Sequence, residues 1–589
     1  MTTRERTSIS FAITGSGGAG VMTAGEILLL AASLDGYFGI QTRSVGPQIR
    51  GGEAASMLRL STLPVDVHAD AFDILFAFDW RNYDRFAGEI TLTGETLVIA
   101  SEEARDIPPS VKQAAGDIRH LPLSEWLKAS SGRVNMLAAG LLGAMTGLSP
   151  ESLEKAITRH FASKGAEVAE SAIRTMRDGY ERAAGLKDAA PRLAPAAPRE
   201  SGRWIINGNQ AAGLGALTAG VKFAAAYPIT PATEILEWLS PALSGAGGML
   251  IQAEDELASI NMIIGSSFGG APSLTATSGP GLALMSEGLG LAVAAEIPLV
   301  VINVQRGGPS TGIPTKSEQT DLDIALHGAS GEAPRLVLAA SSVADCLFTT
   351  AWAVHLAEAL QCPAIMLSDQ MLGQMKTITP RLALPELGAK RLSQNACDGP
   401  YRRYALTDSG VSPMALPGAR GCMYTADGLE HGENAIPSTR AEDHAAQLAK
   451  RLGKLTGYDY GGAWADIEGE GETAIITWGS TAGAAREAAR RLRAAGTPVK
   501  IIVMRLLFPA QRRKLAAALK GVRTLVVAEN SFSGQFARYL RAWHDLPARV
   551  ALCAHAGPKP ISAAEIIRAV QKAGAGRSGA DGVMEEDVS

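Results

Sequence analysis

The chain has 589 residues, 46% hydrophobic and 19% charged, which exceeds what one hydrophobic core organises and predicts about three globular domains. A formal net charge of -4, without a long basic run, excludes the electrostatic footprint of a nucleic-acid or anionic-membrane binder. The five cysteines, Cys346, Cys362, Cys397, Cys422 and Cys553, form no CxxC pair, so neither a disulfide framework nor a thiolate-held cluster is expected.

The N-terminus MTTRERTSIS lacks an apolar signal core. The most lipid-like stretch, residues 136–148, falls short of the roughly 18 residues a transmembrane helix needs. No membrane partner and a cytoplasmic location are therefore expected.

From Ser8, the β-type runs ISFAIT, DILFAF and TLVIA alternate with helical stretches such as AGEILLLAASL, the signature of an α/β domain with a largely parallel sheet, here assigned to residues 1–187. The loop Gly15-Ser-Gly17-Gly18-Ala-Gly20 follows a strand and opens a helix, which lets backbone approach a phosphate. A nicotinamide-binding unit would add an acidic residue at the end of the next strand, and IQTRSVGPQIRGGEA offers Arg43 and Arg50 instead. Residues 188–202, rich in Ala and Pro, read as a semi-rigid linker.

The next unit, residues 203–380, carries the runs KFAAAYP, GGMLIQ, SLTATS, LVVINV, RLVLAA and PAIMLS, interleaved with helices and forming a second doubly wound sheet. Tyr227-Pro228-Ile229-Thr230-Pro231 is either a plain turn or a stiffened loop that aims the Thr230 hydroxyl at an anion or carbonyl. Glu254-Asp255-Glu256 opens a helix at a strand's carboxyl end, where acids serve as dipole partners or as a catalytic carboxylate. Thr277-Ser278-Gly279 and Arg306 follow two further strands, so several strand ends converge. Arg306 has the planar fork that suits a carboxylate.

Residues 381–465 read as an irregular arm suited to wrapping a partner. A third, smaller α/β unit spans 466–575. The tail 576–589 reads as disordered.

In motif order and over nearly its whole length, the chain resembles the 2-oxoacid:ferredoxin oxidoreductases, specifically an α subunit with a γ domain fused at its N-terminus. GSGGAGVMTAGEIL and SVGPQIRGGEA resemble the γ domain. YPITPATEI, QAEDE, TATSGPG and VQRGGPSTGIPTKSEQTDL resemble the pyrimidine-binding domain, and ENSFSGQFARYLR resembles the transketolase-C-like domain. The resemblance implies three α/β domains with largely parallel, doubly wound sheets. It implies thiamine diphosphate shared with a β subunit: Glu256 bonds the aminopyrimidine ring, while Tyr227, Pro228, Ile229, Thr277, Ser278 and Gly279 complete this chain's part of the site. Thr230 and Arg306 are the implied 2-oxoacid ligands, with Lys316 a candidate second charge. Coenzyme A is the implied co-substrate, and Gly15, Gly17, Gly18, Gly20 and Arg50 are candidates to meet it.

The sequence has no GDG motif for Mg²⁺ and diphosphate and no cysteine pattern for a cluster. The resemblance accordingly places Mg²⁺ and a [4Fe-4S] cluster on the β subunit, with no metal on this chain, in an (αβ)₂ heterotetramer that reduces ferredoxin. The fused arrangement and GPSTGIPT loop look most like 2-oxoglutarate enzymes. Pyruvate and branched-chain 2-oxoacids stay open, as does a non-catalytic scaffold that docks coenzyme A.

Overall fold

The computed structural model describes residues 5–46, 52–130, 132–186, 189–196 and 202–575. Arg50, residues 197–201 of the expected linker and the tail 576–589 lie outside the described residues.

Three large sheets organise the chain, each built on β-branched and aliphatic runs. The first has eight strands. Ser8–Ser16, Ile74–Ala77, Leu97–Ser101 and Asp117–Leu121 pair in parallel. On the other side of Ser8–Ser16, Glu53–Ser61 pairs antiparallel with it, and Phe38–Val45 pairs antiparallel with Glu53–Ser61. The sheet is therefore mixed: the first helix crosses over to Phe38–Val45, and the chain then turns back as a hairpin that inserts Glu53–Ser61 between the two.

The open edge of Phe38–Val45 is covered by chain from outside residues 1–187. Lys376–Pro380 pairs with it, and Arg203–Ile206 pairs with Lys376–Pro380. An unpaired strand edge leaves backbone donors and acceptors without partners. Here the second unit supplies them, so the N-terminal and central units share a sheet. Part of the expected linker also docks: Arg192–Leu193 pairs with Glu5–Arg6, and Leu193 is buried.

The central sheet is parallel in the order Met249–Gln252, Phe223–Ala226, Ser273–Thr277, Leu299–Gln305, Pro363–Asp369, Leu336–Ala339, with Leu506–Phe508 added antiparallel. The chain moves from Phe223–Ala226 to one neighbour and then crosses to the other. That places a topological switch point, where crevices open at carboxyl ends, between Phe223–Ala226 and Ser273–Thr277. The third sheet runs Ala465–Glu468, Lys500–Met504, Thr473–Trp478, Thr524–Glu529, Arg549–Ala554, parallel apart from the first. These α/β sheets are the expected fold class.

Among the described residues one helix, Val343–Leu360, is long and apolar enough to cross a membrane. It is mostly buried, packed on the helix Gly208–Thr218 and the central sheet. This is a longer apolar stretch than the one at 136–148.

The arm after residue 380 is more ordered than its composition suggests. It contains the helix Ala441–Thr456 and the parallel pair Ser393–Ala396 and Met414–Arg420. That pairing brings Cys397 to Cys422 in a disulfide, correcting the expectation of unpaired cysteines: the link spans 25 residues and has no short-motif signature. The helix anchors the arm to the central unit through Lys450 and Lys454, which both donate to buried Glu296 at 2.6 and 2.8 Å. Burial alone would raise the Glu296 carboxyl, but Lys454, Lys450 and Arg403 outweigh it and hold it at about 2.

Candidate active site

Four strand ends of the central sheet meet beside the switch point. After Met249–Gln252, the three acidic residues separate by helix-capping physics. Asp255 is the N-cap, in extended conformation, and its side chain accepts from the Ala258 amide at 2.6 Å. Such a cap satisfies an orphan N–H of the first turn. Glu254 is exposed, whereas Glu256, the first helical residue, is 6% exposed. A carboxylate at a helix start is favoured by the macrodipole.

Glu256 points across to the turn after Ser273–Thr277. A methyl group at Gly281 would stand 2.8 Å from Glu256 Oε1 and 2.0 Å from Thr277 Oγ1. Glycine is required there because carboxylate and hydroxyl occupy the space. Ser278, fully buried, caps the helix Gly279–Leu284 with its backbone, and its Oγ has no hydrogen-bond partner.

Arg306 follows Leu299–Gln305 and is 6% exposed. Its Nη1 donates to the Thr230 carbonyl at 2.6 Å, while its buried Nε lacks a partner. Burial lowers the guanidinium's pKa from its usual range, and Asp321 partly offsets this. Asp321 accepts from Asn303 Nδ2 at 2.8 Å and lies against Gly279. Burial pushes the Asp321 carboxyl up, opposed by the bonds from Asn303 and Thr320 and by Arg306. Thr230 is exposed at the crevice, and Pro231 next to it is held by Asn209 Nδ2 at 2.9 Å. Buried polar atoms without partners carry a desolvation cost that a polar ligand relieves.

Residues 214–450 match the family described as "Pyruvate flavodoxin/ferredoxin oxidoreductase, thiamine diP-bdg". Residues 10–182 match "Pyruvate ferredoxin/flavodoxin oxidoreductase", and 471–566 match "Pyruvate:ferredoxin oxidoreductase core domain II". The 2-oxoglutarate oxidoreductase subunit KorA of Mycobacterium tuberculosis is 32% identical, the match covering 91% of this chain and 87% of that one. The 2-oxoacid:ferredoxin oxidoreductase 2 subunit alpha of Aeropyrum pernix is 30% identical, covering 91% and 93%. A solved 2-oxoglutarate:ferredoxin oxidoreductase from Magnetococcus marinus, with 2-oxoglutarate, coenzyme A and succinyl-CoA bound, is 35% identical with a TM-score of 0.88, covering 97% of this chain and 100% of that one.

The chain belongs to the 2-oxoacid:ferredoxin oxidoreductase α subunits.

Of this α subunit's expected site residues, contacts link Glu256 with Thr277 across Gly281, Gly279 with Arg306 through Asp321, and Arg306 with Thr230, and Ser278 adjoins Thr277 and Gly279. Pro228 and Ile229 are half-buried in the loop leading to Thr230, and Tyr227 is exposed at the strand end. Lys316 is not brought in with them. Its ammonium pairs with Glu89 and donates to Ser44 Oγ at 2.6 Å, both in the N-terminal unit.

The glycine loop forms part of a separate cavity of about 870 Å³, whose wall includes Gly17, Gly18, Gly20, Arg133, Asn135 and Lys164. Gly20 adopts φ 82° ahead of the helix Val21–Leu34, and any side chain there would strike Asn135 Nδ2. The loop is held from below: Asp79 accepts from the Ser16 amide at 3.1 Å and hydroxyl at 3.0 Å. Gly15 packs on Phe78 and Val21 instead of lining the cavity.

Sequence reasoning missed Asp321 and Gly281. Gly281 lay in view within TATSGPG, and Asp321 within KSEQTDL, but only the fold sets each against its neighbours.

Proposed function

We propose that this α subunit, with its fused γ unit, belongs to a 2-oxoglutarate:ferredoxin oxidoreductase. The enzyme interconverts 2-oxoglutarate and coenzyme A with succinyl-CoA and CO₂, the electrons passing singly to ferredoxin. The observation that carries this reading is the buried Glu256 carboxylate against Thr277 and Gly281, in a crevice where Ser278 Oγ and Arg306 Nε have no protein partner.

These residues fit the aminopyrimidine half of thiamine diphosphate. When bound, that cofactor supplies a carbon nucleophile and an electron sink for decarboxylation. Glu256 would hold a protonated ring nitrogen in a pocket shielded from water, where a carboxylate acts most strongly. Arg306, desolvated and with a free Nε, would bind the 2-oxoacid carboxylate through charge-assisted bonds. The Thr230 hydroxyl would meet the keto oxygen.

Exposed Tyr227, Leu257, Leu284 and Ile313 suit a face covered by a partner, which supports a β subunit that holds the diphosphate, Mg²⁺ and the [4Fe-4S] cluster in an (αβ)₂ assembly. The large cavity at the glycine loop, with a helix N-terminus, Arg133 and Lys164, suits the phosphates of coenzyme A. Three matched families are named for pyruvate, so a substrate panel of 2-oxoglutarate, pyruvate and branched-chain 2-oxoacids decides specificity.

The test is coenzyme A-dependent reduction of ferredoxin by the chain with and without its β partner. Turnover on 2-oxoglutarate only in the complex is expected. A thiamine diphosphate affinity unchanged by assembly, with no turnover on any 2-oxoacid, would favour the scaffold reading.

A further inference from the structure

Two neighbouring residues on one γ-unit strand reach the two loops assigned above to the 2-oxoacid. Strand Phe38–Val45 carries Arg43 and Ser44 on opposite faces, as successive residues of a strand must be. Arg43 pairs with Glu234, in the first turn of the helix that follows Thr230, and its Nε donates to Gln374 Oε1 at 3.2 Å. Gln374 and Asn207 also donate to Glu234, at 3.1 and 3.2 Å. Glu234 is thus the knot that fixes the exit of the Thr230 loop.

On the other face, buried Ser44 donates to Glu89 Oε1 at 3.1 Å, and the two residues together hold Lys316. The Lys316 and Glu89 side chains are only 13% and 12% exposed, so their bond is less screened than a surface pair. The Lys316 carbonyl in turn accepts from the Gly307 amide at 3.0 Å, and Gly307 adjoins Arg306. Lys316 therefore fixes the loop that departs from Arg306.

We propose that Arg43 and the Ser44–Glu89 pair, acting through Glu234 and Lys316, are positioning residues for 2-oxoacid binding. The γ unit does not touch the 2-oxoacid in this scheme, yet it sets the spacing of Thr230 and Arg306 from both sides. Lys316 becomes the anchor of the loop and not a second substrate cation. The next residues of the same segment, Val45 and Gly46, line the glycine-loop cavity, so the same strand joins that cavity to the substrate loops. The proposal rests on the assignment of Thr230 and Arg306 to the 2-oxoacid.

The test uses the assembled enzyme with its β subunit. Glu89→Gln, Lys316→Met and Arg43→Met should each raise KM for the 2-oxoacid roughly tenfold, the size of one lost charge-assisted hydrogen bond. In all three, kcat should stay within about threefold and the Kd of thiamine diphosphate should not change. Ser44→Ala, which removes no charge, should move KM the same way by roughly threefold and keeps the test open if a charge variant misfolds. The reversed pair Lys316→Glu with Glu89→Lys should restore most of the KM lost by Lys316→Glu alone.

Lower melting temperatures with KM unchanged would overturn the proposal and leave these contacts as simple interdomain packing. A much larger loss for Lys316→Met than for Glu89→Gln, without rescue by the reversed pair, would also overturn it, because Lys316 would then touch substrate itself. Arg306→Ala separates the two levels: if its KM for the 2-oxoacid is normal, the underlying site assignment fails, whatever the γ-unit variants do.

Discussion

Gly281→Ala is the sharpest probe of how closely the crevice is built. The added methyl would sit 2.8 Å from Glu256 Oε1 and 2.0 Å from Thr277 Oγ1, where ordinary contact begins near 3.4 Å. Relief needs Glu256 to retreat by about 0.6 Å and Thr277 by about 1.4 Å, or both to rotate away. The position lies within the helix Gly279–Leu284, so alanine returns up to about 1 kcal/mol of helix propensity against about 1–3 kcal/mol of overpacking. Net destabilisation of at most about 3 kcal/mol predicts a melting shift of no more than roughly 12 °C. Displacement of a reacting group by about 1 Å costs about 10²-fold in rate, so kcat/KM for the 2-oxoacid should fall on that scale while the protein stays folded. The assays are ferredoxin reduction by the assembled enzyme and a thermal melt of the same preparation. A folded Gly281→Ala enzyme within about threefold of the parent kcat/KM would refute the reasoning.

Arg306→Lys keeps the charge but loses the planar fork, so KM for the 2-oxoacid should rise by roughly tenfold or more, measured by steady-state kinetics. Glu296→Gln leaves Lys450 and Lys454 buried without their carboxylate and should destabilise the central unit by about 3–5 kcal/mol in chemical denaturation. With Glu296 held at about 2 in the fold against an ordinary value of 4.5, its contribution is complete above about pH 4.5. It is lost as pH falls towards 2, so the acid-denaturation midpoint of the variant should lie at higher pH. Reduction of Cys397–Cys422, or Cys422→Ser, opens a link spanning 25 residues and should cost roughly 3 kcal/mol on the chain-entropy account. Denaturation with and without a thiol reductant measures it.

Much of the site was legible because its chemistry sits at strand ends. Runs such as LVVINV and SLTATS mark buried parallel strands by composition alone, and the residues just beyond the carboxyl end of each face the crevice. Among the three acids at 254–256 the residues alone left the roles open and only the family resemblance singled out Glu256; the structure separates them, with Asp255 capping, Glu254 exposed and Glu256 buried.

The hidden part depends on docking between distant segments. Lys316 reads as a loop lysine, and its partners Glu89 and Ser44 lie 227 and 272 residues away. The Cys397–Cys422 link exists because two short parallel strands align. The γ sheet borrows Arg203–Ile206 and Lys376–Pro380 because an open edge needs partners, a requirement without local periodicity.

The central claim is that Glu256 activates the aminopyrimidine ring. Exchange of the thiazolium C2 proton for deuterium, followed by NMR on thiamine diphosphate bound to the assembled enzyme, tests it most directly. Glu256→Gln should bind the cofactor and slow that exchange by about 10²-fold or more, the range of a lost acid-base group. Exchange at the parent rate in folded, cofactor-loaded Glu256→Gln would contradict the account.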